Sequence, residues 1–151
     1  MWKEGRSEIV KALKHDRLDR INGPAASGTH YLESAREALA SAERELSYNP
    51  TLAYTAAYEA ARKAASGLLA QQGLRASGGG HHITVLESVN AQFGDDFAPL
   101  RTMRMRRNQL EYPTVPGDTP DATESAQAIA WAHQMLDVAE ALMPQLTRFE
   151  P

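Results

Sequence analysis

Four arginines fall within seven residues in the run Leu100-Arg101-Thr102-Met103-Arg104-Met105-Arg106-Arg107-Asn108-Gln109-Leu110-Glu111-Tyr112. Wound as a helix at about 100° per residue, the run places Leu100, Met103, Arg107 and Leu110 on one face, with Arg104 and Glu111 along its edge. Arg107 therefore sits in an apolar stripe. A guanidinium keeps its proton in any surroundings, so when it is partly buried it needs a carboxylate, a phosphate or a partner subunit to offset desolvation. Arg101 and Arg106 flank the stripe as solvated charges, and Arg104 is within reach of Glu111 across two turns. The weaker alternative for Arg107 is an intrahelical pair with Glu111, worth only about 0.3 kcal/mol when exposed.

Other chemistry-bearing residues are less concentrated. His81 and His82 follow three glycines. Adjacent positions on a helix diverge by about 100°, so the two histidines do not form a chelating pair and fit the start of a helix better. His15, His30 and His133 are scattered, and no metal or cofactor site is expected. Ala76-Ser77-Gly78-Gly79-Gly80 lacks the Lys-Ser/Thr ending of a phosphate-binding loop and follows a helical pattern, which makes it a hinge. Asp95 and Asp96 read as charge complements at a helix start. Ser27, Ser34 and Ser66 have no nucleophile motif around them. Tyr112 ends the arginine helix, as an aromatic plug or as a hydroxyl available for chemistry.

The elements that must position these residues are helical. Trp2 to Ile21 reads as a charged amphipathic helix, an N-terminal arm (1–23) that Asn22-Gly23-Pro24 ends. The remainder, 24–151, reads as one bundle. Tyr31, Ala35, Ala38, Leu39, Ala42 and Leu46 recur at three- and four-residue spacing between Ser27 and Tyr48. Asn49-Pro50 joins a preferred N-cap to a proline at the first helical position, and Gly73 supplies the stop of a long, alanine-rich helix. A shorter helix follows from His82 to Phe93, broken by Gly94-Asp95-Asp96. The arginine helix runs from Phe97 to Tyr112, and a last helix starts at Thr119-Pro120-Asp121 with Ile129, Ala132, Leu136, Ala139 and Met143 as its buried stripe. No strand pattern competes. The expected fold is all-α, an antiparallel up-and-down bundle of about five helices with an extra N-terminal helix.

Composition narrows the function classes. The chain has 151 residues, no cysteine and a formal charge of −3. One core, no disulfide framework and no thiolate metal site follow, with the cytoplasm as the default compartment and no membrane span. The acidic balance gives no general attraction to nucleic acid, so phosphate recognition has to come from the local arginine cluster.

The order of these features resembles a HEPN domain over roughly residues 27 to 147. The resemblance is carried by Tyr31-Leu32-Glu33-Ser34-Ala35-Arg36-Glu37-Ala38-Leu39, by Ala53-Tyr54-Thr55-Ala56-Ala57-Tyr58-Glu59-Ala60-Ala61-Arg62-Lys63-Ala64, by the glycine-histidine turn, and by Arg106-Arg107-Asn108-Gln109-Leu110-Glu111-Tyr112. It implies a homodimer with arginine helices facing across a shared cleft. It also implies RNA or nucleotide as the ligand, a metal-independent ribonuclease toxin or defence protein as the function, and a nucleotidyltransferase-type antitoxin as a partner. By the same resemblance Arg107 holds the phosphate, Asn108 helps orient it, and Arg104, Glu111, His81 and His82 contribute to substrate binding. Tyr112 stands where the family motif has its histidine, and a phenol with pKa near 10 is a poor base at neutral pH. A non-catalytic dimerisation or partner-binding module is the alternative.

Overall fold

The computed structural model describes residues 1–151. Six α-helices and one two-stranded sheet make up the chain: α1 Arg6–Lys14, β1 Leu18–Arg20, α2 Thr29–Glu45, α3 Pro50–Gln71, β2 Leu74–Ala76, α4 His81–Phe93, α5 Pro99–Glu111 and α6 Ala122–Leu142. The protein is all-α in class, and no helix is long and apolar enough to cross a membrane.

Helix α3 is the central element. Its start follows the sequence signal, with the Asn49 side chain accepting from the Leu52 amide at 3.1 Å and Pro50 at the first position. Alanines 53, 57, 60, 61, 64 and 65 are buried along it, so the neighbouring helices approach closely. The approach is closest where Gly28 meets Gly67: a Cβ on Gly28 would lie 2.5 Å from the Gly67 carbonyl oxygen. Helix α2 runs antiparallel to α3, joined by Gly28 against Gly67 and by Lys63 Nζ donating to Ser34 Oγ at 2.8 Å. Helix α6 begins beside the start of α3, where Ser125 Oγ donates to the Pro50 carbonyl at 2.6 Å, and the Met143 side chain just beyond its end reaches Gly28. It is therefore parallel to α3 and antiparallel to α2, as the Glu43–His133 and Arg36–Glu140 pairs also show.

This arrangement departs from strict up-and-down alternation, and the reason lies in the two strands that periodicity did not predict. After α3, the chain returns along it in extended form through β2, paired antiparallel with β1 as Leu18 with Ala76 and Arg20 with Leu74. Helix α4 then runs parallel to α3: Tyr58 meets His82 at one end, and Gln72 meets Gln92 at the other. Three-residue strands leave no readable alternation, so neither was legible as a pattern.

The N-terminal segment is not one long helix. It is α-helical only over Arg6–Lys14, turns through Asp16 at a φ of 58°, and continues as β1. Ile9, Ala12 and Leu18 belong to the common hydrophobic core, and Trp2 Nε1 donates to the Gln92 carbonyl at 2.8 Å. Gly5 permits this docking: its φ is 68°, and a Cβ there would lie 2.5 Å from the Ala91 carbonyl. The last helix is also capped two residues later than expected, at Asp121 instead of Thr119. Asp121 accepts from the Glu124 amide at 2.8 Å, while Pro120 lies buried ahead of it.

Beneath the N-terminal segment, the buried Gln72 and Gln92 amides bond reciprocally at 2.6 and 3.0 Å, and the Gln72 carbonyl accepts from the Phe149 amide at 2.9 Å. Both chain ends thus converge on one polar pair. Gln72→Leu leaves Gln92 unsatisfied and should lower stability by about 1–3 kcal/mol. The double variant Gln72→Leu/Gln92→Leu should recover part of that loss in chemical denaturation, and additive losses would contradict the reciprocal bond.

Candidate functional site

The arginine helix α5 packs near Tyr54 and Tyr58 in the first half of α3, and its four arginines meet four different environments. Arg101 is exposed. Arg106, expected to be solvated, is largely enclosed, with only 14% of its side chain exposed. Its Nε and Nη2 donate to the Glu124 carboxylate at 2.7 and 3.2 Å, and its Nη1 donates to Asp118 and Gln109 at 3.1 and 3.2 Å. The hydrogen bonds it donates to Glu124 and Asp118 raise its proton affinity above the usual arginine range despite desolvation. This network lies over Tyr54, whose phenol is pushed up to about 12, by burial first and by the Glu124 charge second.

Arg107 occupies the position the sequence singled out, but it is less buried than the stripe implied. Its side chain is 29% exposed, and its Nη2 lies 3.6 Å from Glu111 one turn on. Arg104 was expected to reach Glu111. Because Glu111 turns to Arg107, the half-buried Arg104 makes no hydrogen bond or ion pair. The stripe is buried at Leu100 and Met103, while Leu110 is only half-covered.

Arg104 and Arg107 face a cluster built on α3 and the start of α4. The Tyr58 ring is buried, and its hydroxyl lies 3.1 Å from His82 Nδ1. One turn on, Arg62 holds Glu59 through two hydrogen bonds of 3.2 and 2.7 Å. Burial opposes the charge on Glu59, yet the Arg62 hydrogen bonds and nearby cations outweigh it and hold the carboxyl below its usual range. Burial likewise opposes the charge on Arg62, and its bonds to Glu59 reverse that effect and raise its proton affinity. His82 is pushed down to about 4, first by burial, then by the positive charge of Arg62 and by His81, with Arg107 contributing further. Burial also raises the Tyr58 phenol, while the charges of Arg62, Arg104 and Arg107 act the other way. These effects place Arg62, Arg104 and Arg107 within electrostatic reach of Tyr58, and Arg62 and Arg107 within reach of His82.

The state of this cluster at neutral pH follows directly. His82 is neutral and Tyr58 is protonated, so a single hydrogen bridges them. With Tyr58 as donor, the ring proton is on Nε2; with His82 as donor, Nε2 is a free base. His81 stands edge-on to His82, with ring centroids 4.5 Å apart, and its own Nδ1 lies 3.3 Å from the Gly78 carbonyl.

Two residues proposed for chemistry from the sequence make no side-chain hydrogen bonds. Tyr112 is the C-cap of α5, 75% exposed, and its hydroxyl makes no hydrogen bond. Asn108 is half-buried with an unengaged side-chain amide. Tyr58, Glu59 and Arg62 were not proposed from the sequence, because within α3 they read as bulk and solvated charge. The tyrosine opposite a helix-start histidine becomes visible only once β2 has returned the chain. On the other flank of α5, a cleft of about 530 Å³ lies between Arg106, Met105 and Trp131, but the cation in its wall is already neutralised by Glu124.

No protein-family model, curated protein or solved structure matches this chain.

The depressed proton affinity of His82 has a signed consequence. The unfolded chain takes up this proton near pH 6.5 and the folded chain only near 4, so His82 contributes no pH dependence above 6.5. Stability should fall as pH drops through that window. The imidazole resonances of His82 should titrate near pH 4, and Arg62→Gln should raise the midpoint more than Arg107→Gln. A wild-type midpoint near 6.5 would contradict the arrangement.

Proposed function

We propose that the protein is a HEPN-like RNA-binding protein of a prokaryotic toxin–antitoxin or defence module, holding a phosphodiester at Arg104 and Arg107 beside His82. The observation that carries this reading is Arg104, a half-buried guanidinium with no carboxylate partner. Desolvating a permanent cation costs several kcal/mol unless an anion or a set of acceptors compensates. Arg107 supports the same role, because a 3.6 Å surface pair is weak enough to be exchanged for a phosphate. Guanidinium forks match phosphate oxygens bidentately, and the half-buried Asn108 amide offers donors on the same helix.

Binding is favoured over cleavage. A general acid or base works best with a pKa near the operating pH, and His82 lies about three units below neutrality. Only about one molecule in a thousand carries the His82 proton at pH 7, which removes it as an acid and leaves it a weak base. A ribonuclease of this type would instead cut in the presence of EDTA and leave 2′,3′-cyclic phosphate ends. Single-stranded RNA incubated with the purified protein is expected to remain intact.

Arg104→Ala and Arg107→Ala should each weaken RNA binding in fluorescence anisotropy. Each should also flatten the dependence of log K on log salt by about 0.7 per lost phosphate contact. Arg106→Ala should mainly reduce thermal stability, since its partners are Glu124 and Asp118. Unchanged RNA affinity in both Arg104→Ala and Arg107→Ala would remove the assignment.

A second element of the reading is self-association along α5. Met105 on this helix and Tyr112 and Val115 just beyond it are exposed apolar residues, at 56%, 75% and 59%. Met105→Glu should shift the protein towards monomer in sedimentation velocity. A wild-type monomer at high concentration would contradict self-association.

A further inference from the structure

A separate cleft of about 200 Å³ opens where α3, β2 and the start of α4 meet α2. Its polar lining consists of Tyr31, Arg62, Ser66, Arg75 and His81, with no carboxylate among the lining residues. Leu69 and Leu74 are buried and form an apolar floor. We propose that this cleft binds an organic phosphomonoester, with the phosphate between Arg62 and Arg75 and the organic body against Tyr31 and the apolar floor.

Three observations support that chemistry. The Arg75 side chain makes no hydrogen bond or ion pair, although the strand register sets it opposite Asp19. Arg62 is held in place by Glu59 through Nε and Nη2, which partly offsets its charge but leaves Nη1 without a hydrogen-bond partner in a preorganised guanidinium. The cleft also continues past Tyr31 and Arg62 into a second hollow of about 230 Å³ lined by His30, Ser34 and Lys63. There Lys63 donates to Ser34 at 2.8 Å and adds a third cation. Glu33 lies 3.7 Å from His30 in this second hollow.

Arg75 and Lys63, which pair with no carboxylate, Arg62 with its charge partly offset by Glu59, and the hydroxyls of Tyr31, Ser34 and Ser66 fit a doubly charged group with several acceptor oxygens better than a carboxylate. The apolar floor and the Tyr31 ring favour an organic body on that group over free phosphate. The proposal does not rest on Arg104 or Arg107. Arg62 links the two regions, since its charge also acts on His82, so a phosphate bound here should be reported by the His82 ring.

The full chain would be titrated at neutral pH with phenyl phosphate, AMP, inorganic phosphate and phenol, followed by calorimetry and by the His81 and His82 imidazole resonances. Phenyl phosphate and AMP should bind saturably and shift both histidines, inorganic phosphate should bind more weakly, and phenol should leave the resonances in place. AMP tighter than phenyl phosphate would identify a nucleotide body, and equal affinities would identify a phosphomonoester with a general apolar body. Arg75→Ala alters an exposed side chain without structural bonds, and it should weaken phosphomonoester binding at least about tenfold while leaving Arg104-dependent RNA binding unchanged. No saturable binding of phenyl phosphate or AMP up to about 10 mM would overturn the proposal, as would binding that Arg75→Ala leaves unaltered.

Discussion

The extended return of the chain through β2 is the constraint on which the rest of the arrangement depends. From Tyr58 to Gln72, α3 advances about 20 Å, and a segment at about 3.3 Å per residue recovers that distance in six or seven residues. The stretch from Gly73 to Gly80 is long enough to do so. Without it, α4 would run back along α3 and begin near Gln72. With it, α4 begins beside Tyr58, and His82 lands within 3.1 Å of a buried hydroxyl. The return needs a partner for its backbone, and β1 provides one. This gives the N-terminal segment a structural role: β1 satisfies β2, α1 covers α4, and Trp2 closes over the Gln72–Gln92 pair.

The second organising feature is how charge is distributed along α5. Arg106 is enclosed and fully compensated by two carboxylates, so it fixes the α5–α6 connection. Arg107 has a long, partly solvated pair, of a kind worth a few tenths of a kcal/mol. Arg104 has no partner at all, and its charge acts on the protonated Tyr58 phenol, while that of Arg107 acts on both Tyr58 and the neutral His82. Cationic side chains grouped with uncharged hydrogen-bonding groups form a surface suited to an anion. The compensation of Arg106 is also why the larger cleft beside it is the weaker candidate for anion binding, despite its volume.

Much of this was legible in the residues, and the exceptions have physical causes. The six helices follow from three- and four-residue apolar spacing and from local signals such as Asn49-Pro50, which act within one turn. The strands were hidden because three residues carry no usable period. The last cap fell on Asp121, not at Thr119-Pro120, because the aspartate side chain reaches the Glu124 amide while Pro120 packs inward. Within the candidate site, the arginine helix was evident, but the ranking of its members was not. Arg107 stood out by its angular position, whereas Arg106 and Arg104 are distinguished by Glu124 and Asp118, residues from a later loop and helix. Tyr58, Glu59 and Arg62 were invisible for the same reason: their significance comes from a histidine more than twenty positions away.

The central claim is that Arg104 and Arg107 form an anion-receptive pair while Arg106 is structurally occupied. The most direct measurement is a side-chain ¹⁵Nε–¹Hε spectrum of the arginines during titration with single-stranded RNA. Arg104 and Arg107 should shift progressively and saturate together, with Arg106 unmoved in its bonds to Glu124 and Asp118. Saturable movement confined to other arginines, or no movement at Arg104 while RNA binds, would contradict the account.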